Sequence, residues 1–416
     1  MVVSIRKIYF LLIPLLYTLL VNTQENKLPN SKHLSIITNS IEVDSNYQNG
    51  NWEPLLKQIK NKRIVLLGEL NHGSKEIFQS RNDLIKSLHE ELGFDAILFE
   101  SGIGELIEID SKKNTLKPNE MTYGFFGGWR TTEFVELMDY VKTKNISISG
   151  FDVQRTGSSF QRVLIDELLR LNLDSNKYHD IEKRFSNEKR KLTNRQAVYD
   201  SLQYSTNELI RDYQSLKSSI KNSENNKFEQ TSLFVIRTIE NRIKYLQYFL
   251  NFVEDKDWNK RWKERDFMMF FNIDWLLNKI YKNQKVLIVA HNFHVSKYND
   301  KEEVMGEFLN EKYGSDMYSI GVFAGKGSFS NNRGLEEKLK PISNDGFDIK
   351  QVINSINHKV AFVNIPNKDK NGFEWLFNKV IVNDTFIDLS SSNEMILSKN
   401  FDGLILIDKI SPAKKQ

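Results

Sequence analysis

Short apolar runs, separated by polar turns and amphipathic stretches, dominate the chain from residue 63 onward. Such a run is typical of a strand that is buried on both faces of a parallel sheet. Seven runs predict strands: Ile64–Leu67, Asp95–Phe99, Ile146–Gly150, Lys285–Ala290, Tyr318–Ala324, Ala361–Ile365 and Gly403–Ile407. Between the first two, apolar residues at three-to-four spacing predict a helix that begins near Ser74. The pattern predicts an α/β fold with a central, mostly parallel sheet flanked by helices.

The periodicity changes between the third and fourth predicted strands. From Ser159 to Asn283 the apolar residues keep helical spacing, and a polar break at 221–227 predicts a loop between two helices. We therefore divide the chain into a first core part at 24–157, a large helical insertion at 158–284 and a second core part at 285–416. The insertion is expected to form a cap over the strand ends, with a purely structural helical layer as the alternative. A modest helical patch is also expected at 34–41.

Charged and histidine side chains follow three of the predicted strands. Glu69 and His72 lie in the turn after the first strand, Glu100 directly follows the second, and His291 and His294 follow the fourth. Ligands of open α/β sheets bind at the carboxyl ends of the strands. Only seven histidines occur in the whole chain, so three of them at strand ends point to a shared site. If the first two strands are parallel neighbours, Glu69 and Glu100 reach the same edge of the sheet.

At these residues the chain resembles the erythromycin esterase family, hydrolases that open macrolide lactones or are related to those that do. The resemblance covers roughly Lys62 to Asp408, and its separated motifs are more specific than one short pattern. The motifs that carry it are Gly68-Glu69-Leu70-Asn71-His72-Gly73, Arg81, Glu100 and the pair His291 and His294. Weaker matches are Trp129–Glu133, Gly150–Asp152, Arg265-Asp266 with Met269 and Asn272, and Phe401–Asp408. The resemblance implies a carboxylic ester hydrolase, and with a macrolide substrate it implies antibiotic inactivation and resistance.

The catalytic chemistry expected of these residues starts from His72 as a general base that activates water. Either Glu69 or Glu100 could hold its ring, and the sequence leaves that choice open. Arg81 is expected on or beside the buried face of its helix, where it would orient a carboxylate, stabilise the oxyanion or form a structural salt bridge. His291 and His294 could donate to the oxyanion, protonate the leaving alkoxide or bind substrate. No G-x-S-x-G motif occurs, so direct attack by water without a covalent intermediate is preferred.

An aromatic, glycine-rich loop at Gly124–Trp129 is expected to contact the substrate, with ordinary packing as the alternative. The residues predicted to bind substrate are Phe125, Phe126, Trp129, Arg130 and Asp152. No cofactor or metal is expected. The candidate residues include acceptable zinc ligands, so a metal-dependent hydrolase remains an alternative. Two more functions fit the same residues: a carboxylesterase that acts on another acylated metabolite or a surface polysaccharide, and a binding protein without turnover.

Composition and the amino terminus narrow the class of protein further. The net charge is +4, from 58 basic and 54 acidic residues that are interspersed, so no nucleic-acid partner is implied. The absence of cysteine excludes disulfides and thiol nucleophiles. Arg6 and Lys7 precede an apolar run, Ile8–Val21, that predicts a signal peptide at 1–23 and export to the periplasm or outside the cell. An uncleaved membrane anchor is the alternative, and the oligomeric state cannot be read from the sequence.

Overall fold

The computed structural model of the chain describes residues 28–29, 34, 38–194, 196–223, 225, 229–256, 258–368, 372–382 and 394–416, with backbone alone at 258–262. The predicted signal peptide at 1–23 lies outside these residues and stays a prediction. No helix among the described residues is both long enough and apolar enough to span a bilayer.

The strands lie on both sides of the long helical region, as the sequence indicates. In chain order they are β1 (Thr38–Ile41), β2 (Ile64–Leu67), β3 (Phe94–Gly102), β4 (Ser147–Asp152), β5 (Lys285–Val289), β6 (Met317–Ser330), β7 (Glu336–Lys338), β8 (Val360–Asn364), β9 (Lys379–Ile381), β10 (Glu394–Ile396) and β11 (Gly403–Ile410). Nine of them form one sheet in the order β1-β8-β11-β6-β2-β5-β3-β4, with β7 paired to the far part of β6. The strands β9 and β10 form a separate antiparallel pair.

Six strands, from β11 to β4 in the sheet order, run parallel to their neighbours, and β8 and β1 add an antiparallel edge. Both faces of the central strands are buried. Along β2, Ile64 and Leu66 join the apolar core on one face, whereas Val65 and Leu67 join the core on the other. This explains why β2 is apolar at every position. The predicted mostly parallel α/β sheet is therefore confirmed.

The helices pack on both faces of this sheet. In chain order they are α1 (Glu53–Ile59), α2 (Lys75–Leu92), α3 (Ile103–Lys112), α4 (Pro118–Met121), α5 (Thr132–Thr143), α6 (Phe160–Arg170), α7 (Ile181–Leu192), α8 (Tyr199–Lys221), α9 (Gln230–Asp255), α10 (Trp258–Trp275), α11 (Asn292–Val295), α12 (Met305–Tyr313), α13 (Ile349–Ser355), α14 (Glu374–Phe377) and α15 (Leu397–Asn400). A π-helical turn, Leu276–Ile280, continues α10.

The described residues between β4 and β5 form helices and loops without a strand. The long helix α9 packs against α8 and α10, and α10 packs in turn against β4 and α12. Contact with the strand ends comes from α10, whose Arg265 donates to Asp152 Oδ2 at the end of β4, over 2.6 Å. The helical insertion therefore reaches the edge of the sheet where the candidate residues lie.

Two local expectations differ from the structure. Residues 38–41 form strand β1 rather than the second half of a helix, because they pair antiparallel with β8, and this pairing outweighs a weak local helical pattern. The strands β2 and β3 are not neighbours, since β5 lies between them and pairs in parallel with both. Because β5 lies between β2 and β3, the residues that follow its apolar run lie between those that follow the apolar runs of β2 and β3.

Candidate active site

The adjacent parallel strands β2 and β5 end at the same level of the sheet, and β3 runs past that level to Gly102. Leu67 of β2 and Phe99 of β3 both lie beside Val289, the last residue of β5. Just beyond this level, the backbone N–H of His291 donates to Glu100 Oε2 at 3.0 Å. The residues predicted from three distant parts of the chain therefore meet at one edge of the sheet.

The turn after β2 depends on glycine at its first position. A Cβ at Gly68 would lie 2.1 Å from Asn292 Oδ1. That amide is fixed in place, because Asn292 Nδ2 donates to the carbonyl oxygen of Val322 at 2.7 Å and its Oδ1 accepts from the N–H of Val322 at 3.0 Å. Gly68 thus permits the close approach of α11 that places His291 beside the turn.

His72 is held by Glu69. The distance from His72 Nδ1 to Glu69 Oε1 is 2.5 Å, and the Trp129 indole N–H donates to the same carboxylate oxygen at 3.0 Å. A proton on Nδ1 that points to this carboxylate leaves the lone pair on Nε2. The Trp129 nitrogen, 3.1 Å from Nδ1, is then only a close neighbour, because an indole nitrogen cannot accept a hydrogen bond. Of the two carboxylates left open by the sequence, Glu69 is the partner of His72.

Arg81 anchors Glu69 from the opposite side. Its Nη1 donates to Glu69 Oε2 at 2.6 Å, and its side chain is only 2% exposed. The guanidinium also lies over the rings of Phe78 and Trp129, 4.5 and 5.2 Å from their centroids. Burial lowers the pKa of Arg81, although Glu69 opposes that effect. Because Arg81 does not line the cleft, its geometry fits the orientation of Glu69 and not contact with an oxyanion.

A second charged cluster surrounds Glu100. Arg265 Nη2 donates to Glu100 Oε1 at 2.8 Å and to Asp152 Oδ2 at 2.6 Å. His294 lies between two carboxylates, with Nδ1 2.8 Å from Asp266 Oδ1 and Nε2 3.2 Å from Glu100 Oε1. Burial disfavours the imidazolium, but Asp266 and Glu100 outweigh burial and raise the pKa of His294 to about 10. His294 is thus a cation at neutral pH, and its two nitrogens donate to Asp266 and Glu100. Arg265 Nη1, 3.1 Å from Nε2, is then only a close neighbour, because a guanidinium cannot accept a hydrogen bond.

The charge on Glu100 is stabilised by the same cluster. Its burial favours the neutral acid, yet His294, Arg265 and, more weakly, His72 together hold the pKa of Glu100 well below its ordinary value. Glu100 is therefore an anion that organises the cations of the site.

His291 has a different environment from His294. Its Nε2 donates to the carbonyl oxygen of Leu70 at 2.8 Å, and its Nδ1 accepts from the N–H of Phe293 at 3.3 Å. Burial lowers the pKa of His291 to about 4, with a further contribution from His72. Both ring nitrogens thus have backbone partners, so the structure places His291 as a neutral group that holds the turn, with no ring N–H left for an oxyanion or an alkoxide.

These side chains open onto a cleft of about 680 Å³ at the strand ends. The His72 side chain is 21% exposed there, whereas Glu69 is fully buried behind it. The charged residues Glu100, Arg265 and His294 also line the cleft, and we call this part of it the cleft floor. Another part of the wall comes from the β6–β7 hairpin and is mostly polar, with Phe329, Ser330, Asn331, Asn332, Arg333 and Glu337.

Of the five residues predicted to bind substrate, only Phe126 lines the cleft. Phe125 and Trp129 are fully buried, where they stack at 5.9 Å between ring centroids. Arg130 donates instead to backbone carbonyls, and Asp152 is buried against Arg265. The prediction is therefore wrong for direct contact at these four positions. Aromatic residues near glycines also occur in hydrophobic cores, and here Phe125 and Trp129 are core residues.

Sequence reasoning did not place Arg265 and Asp266 in the site, although both belong to one of the weaker family motifs. Arg265 lines the cleft and binds Glu100, and Asp266 accepts from His294. The feature that could have identified them is the Arg-Asp pair on a predicted helix. Arg265 lies more than 110 residues from Asp152 along the chain, so the sequence alone does not show that the two residues meet. No feature of the sequence indicated that the hairpin residues 329–333 belong to the site, because β6 extends beyond the apolar run that predicts this strand.

The charge balance of the site favours protonation of His72. Four carboxylates, Glu69, Glu100, Asp152 and Asp266, face three cations, Arg81, Arg265 and His294. Burial lowers the pKa of His72, but the charge and the hydrogen bond of Glu69, with a further contribution from Glu100, outweigh it and raise the pKa above 6.5. The remaining negative charge is neutralised when Nε2 accepts a proton, so the environment strengthens His72 as a base.

This shift predicts the pH dependence of any reaction that uses neutral His72. A base is active when deprotonated, so kcat/KM is expected to rise with pH, to be half-maximal above pH 6.5 and to be lost as the pH falls through that midpoint. Glu69→Gln removes the negative charge and should move the midpoint to lower pH as well as reduce the rate. The measurement is kcat/KM against pH for both proteins, and a midpoint that Glu69→Gln leaves in place would contradict the coupling.

The fold is a mostly parallel α/β sheet, and at the carboxyl ends of its strands a buried carboxylate holds a histidine. This arrangement is typical of hydrolases in which the histidine acts as a base. A family model described as Erythromycin esterase matches residues 89–410, and the chain belongs to this family of hydrolases. The matched range begins after the turn that carries Glu69 and His72, so the assignment of those two residues rests on their geometry.

Individual relatives agree with this family. The chain is 26% identical over 403 residues to the Bacillus subtilis (strain 168) protein named "Putative hydrolase YbfO", covering 89% of this chain and 88% of the relative. It is also 26% identical over 318 residues to the Escherichia coli protein named Erythromycin esterase type II, covering 70% and 75%. A crystal structure of a Bacillus cereus protein shares the fold, with a TM-score of 0.76 at 20% identity over 92% of this chain and 98% of that one.

Proposed function

We propose that this chain is a carboxylic ester hydrolase that opens a macrolide lactone with water activated by His72. The observation that supports the proposal most strongly is the 2.5 Å contact between Glu69 Oε1 and His72 Nδ1, with Glu69 buried and His72 at the cleft. This contact orients the ring, assigns its lone pair to Nε2 and stabilises the imidazolium that proton abstraction creates.

In the proposed reaction, His72 Nε2 takes a proton from water while the water oxygen bonds to the carbonyl carbon of the ester. The carbonyl π electrons move to oxygen and give a tetrahedral oxyanion, which the cations Arg265 and His294 stabilise electrostatically from the cleft floor. The intermediate collapses as the bond between carbon and the alkoxy oxygen breaks. The leaving alkoxide takes the proton from His72 Nε2, so the products are an acid and an alcohol and His72 is neutral again.

The macrolide substrate in this proposal rests on the family and on the Escherichia coli relative's name. Purified protein incubated with erythromycin is expected to yield a product heavier by one water, detected by mass spectrometry, and loss of antibacterial activity should follow the same time course. Unchanged erythromycin together with hydrolysis of simpler esters would remove the macrolide from the proposal while leaving ester hydrolysis in place.

One observation favours a second substrate class. The wall formed by Asn331, Asn332 and Arg333 also contains the carboxylate of Glu337, to which Asn331 Nδ2 donates, so it presents polar groups of both charges that suit a hydroxyl-rich group. An acylated sugar or an acylated polysaccharide is therefore the second candidate. Release of acetate from acetylated xylose, compared with release from an alkyl acetate, tests this candidate, because a polar wall that binds the sugar should lower KM for the sugar ester.

Metal dependence is tested separately. Among the described residues, no three His, Asp or Glu side chains are arranged to hold one metal ion together. We expect unchanged turnover after dialysis against a chelator, measured with the same ester and compared with protein to which zinc has been returned. Loss of turnover that zinc restores would replace His-activated water with metal-activated water, and no turnover of any ester would favour a binding protein.

A further inference from the structure

Asn71, the residue before His72, has a buried amide with an unused donor. Its Oδ1 accepts from the N–H of Gly73 at 3.1 Å and from Ser74 Oγ at 2.7 Å. Its Nδ2 is buried and has no hydrogen-bond partner among the described residues, and the residue as a whole is only 1% exposed. Leaving a buried donor unpaired costs about 1–3 kcal/mol, so such a group calls for an explanation.

The orientation of this amide is set by its neighbours. If the oxygen and nitrogen were exchanged, the amide NH₂ would face the N–H of Gly73, and two donors would meet. The turn therefore holds Oδ1 inward and leaves Nδ2 as the free end. Asn71 and His72 both line the cleft, so the spare donor belongs to a residue of the cleft wall, next to the base in the chain.

We propose that Asn71 Nδ2 donates a hydrogen bond to the carbonyl oxygen of the ester and to the oxyanion that forms from it. This inference rests on the proposed ester hydrolysis and adds a directed donor to the diffuse positive charge of Arg265 and His294. A fixed neutral donor needs no reorganisation during the reaction, and its hydrogen bond strengthens as negative charge develops on oxygen. Asn71 is then a catalytic residue that the two hydrogen bonds to Oδ1 hold ready.

The test compares Asn71→Ser with Asn187→Ser. A serine at position 71 can still accept from the N–H of Gly73, as serine does in turns of this kind, but it cannot reach the position of Nδ2. Asn187→Ser makes the same change at an exposed position of α7, outside the cleft. With p-nitrophenyl acetate, Asn71→Ser is expected to lower kcat and kcat/KM together by about 10²–10³-fold, whereas Asn187→Ser should stay within a few-fold of the unmodified protein.

A binding measurement separates this inference from the proposed function. p-Nitrophenyl methylphosphonate carries a stable tetrahedral anionic oxygen in place of the transient one, and its dissociation constant can be measured by calorimetry without turnover. Asn71→Ser should weaken its binding by a factor similar to the loss in kcat. Equal phosphonate affinity in both proteins would overturn the inference, as would wild-type kcat in Asn71→Ser or no phosphonate binding at all. Absence of ester hydrolysis with Asn71-dependent phosphonate binding would instead count against the proposed function alone.

Discussion

Replacing His72 with alanine is expected to lower kcat for ester hydrolysis by about 10²–10⁴-fold, the usual contribution of a positioned general base. The fold should survive, because Glu69 keeps its hydrogen bonds from Arg81 and Trp129 when the imidazole is lost. The measurement is steady-state turnover beside a circular dichroism spectrum. Wild-type turnover in His72→Ala would end the role of His72 as the base.

A matched control and a rescue sharpen this prediction. His358 is exposed and lies outside the cleft, so His358→Ala should leave kcat unchanged. The space vacated by the ring of His72→Ala borders solvent, and added imidazole should restore part of the lost rate in proportion to its neutral fraction. Rescue that instead followed the imidazolium concentration would indicate an acid at this position rather than a base.

Replacing Arg81 with methionine is expected to reduce the free energy of unfolding by about 3–5 kcal/mol, because it leaves Glu69 as a buried carboxylate without its cation. Loss of the packing between the guanidinium and the rings of Phe78 and Trp129 acts in the same direction. The measurement is urea unfolding at neutral pH. The variant should also lose activity, since Glu69 is no longer held against His72.

Two further variants identify the cause of that instability. In Arg81→Met combined with Glu69→Gln, no buried charge is left unpaired, so part of the lost stability should return. Arg184 and Asp212 form a matched surface pair, 2.7 Å apart and 36% and 35% exposed, and Arg184→Met should cost no more than about 1 kcal/mol. Equal losses in Arg81→Met and Arg184→Met would show that burial of the Glu69 pair contributes little.

Much of the site follows from local pattern, because a parallel sheet brings the ends of its strands to one edge. The apolar runs before Glu69, Glu100 and His291 predict that each residue lies near the end of a strand, and the structure brings these strand ends to one edge of the sheet. The aromatic loop is the opposite case. The same aromatic residue types pack in cores and bind ligands. Phe125 and Trp129 were therefore predicted to contact the substrate, but they lie in the core.

The order of the strands in the sheet also could not be read from the chain. The strand β5 pairs with both β2 and β3. This pairing depends on side chains from both faces of the sheet, so the local sequence of β5 does not specify which strands lie beside it. The same holds for Arg265, which reaches Glu100 and Asp152 only because α10 packs against β4.

By itself the sequence determined which charged residues and histidines lie after the strands and could carry the chemistry, since apolar periodicity specifies strands and the residues after each strand must lie near its end. Only the tertiary structure decided how those residues share charge and protons. It assigned Glu69 to His72, made His294 a cation between two carboxylates and kept His291 neutral against backbone groups. The physical reason is that the protonation of a buried group depends on the distances to its partners and on its exclusion from water, and both of these are properties of the folded chain.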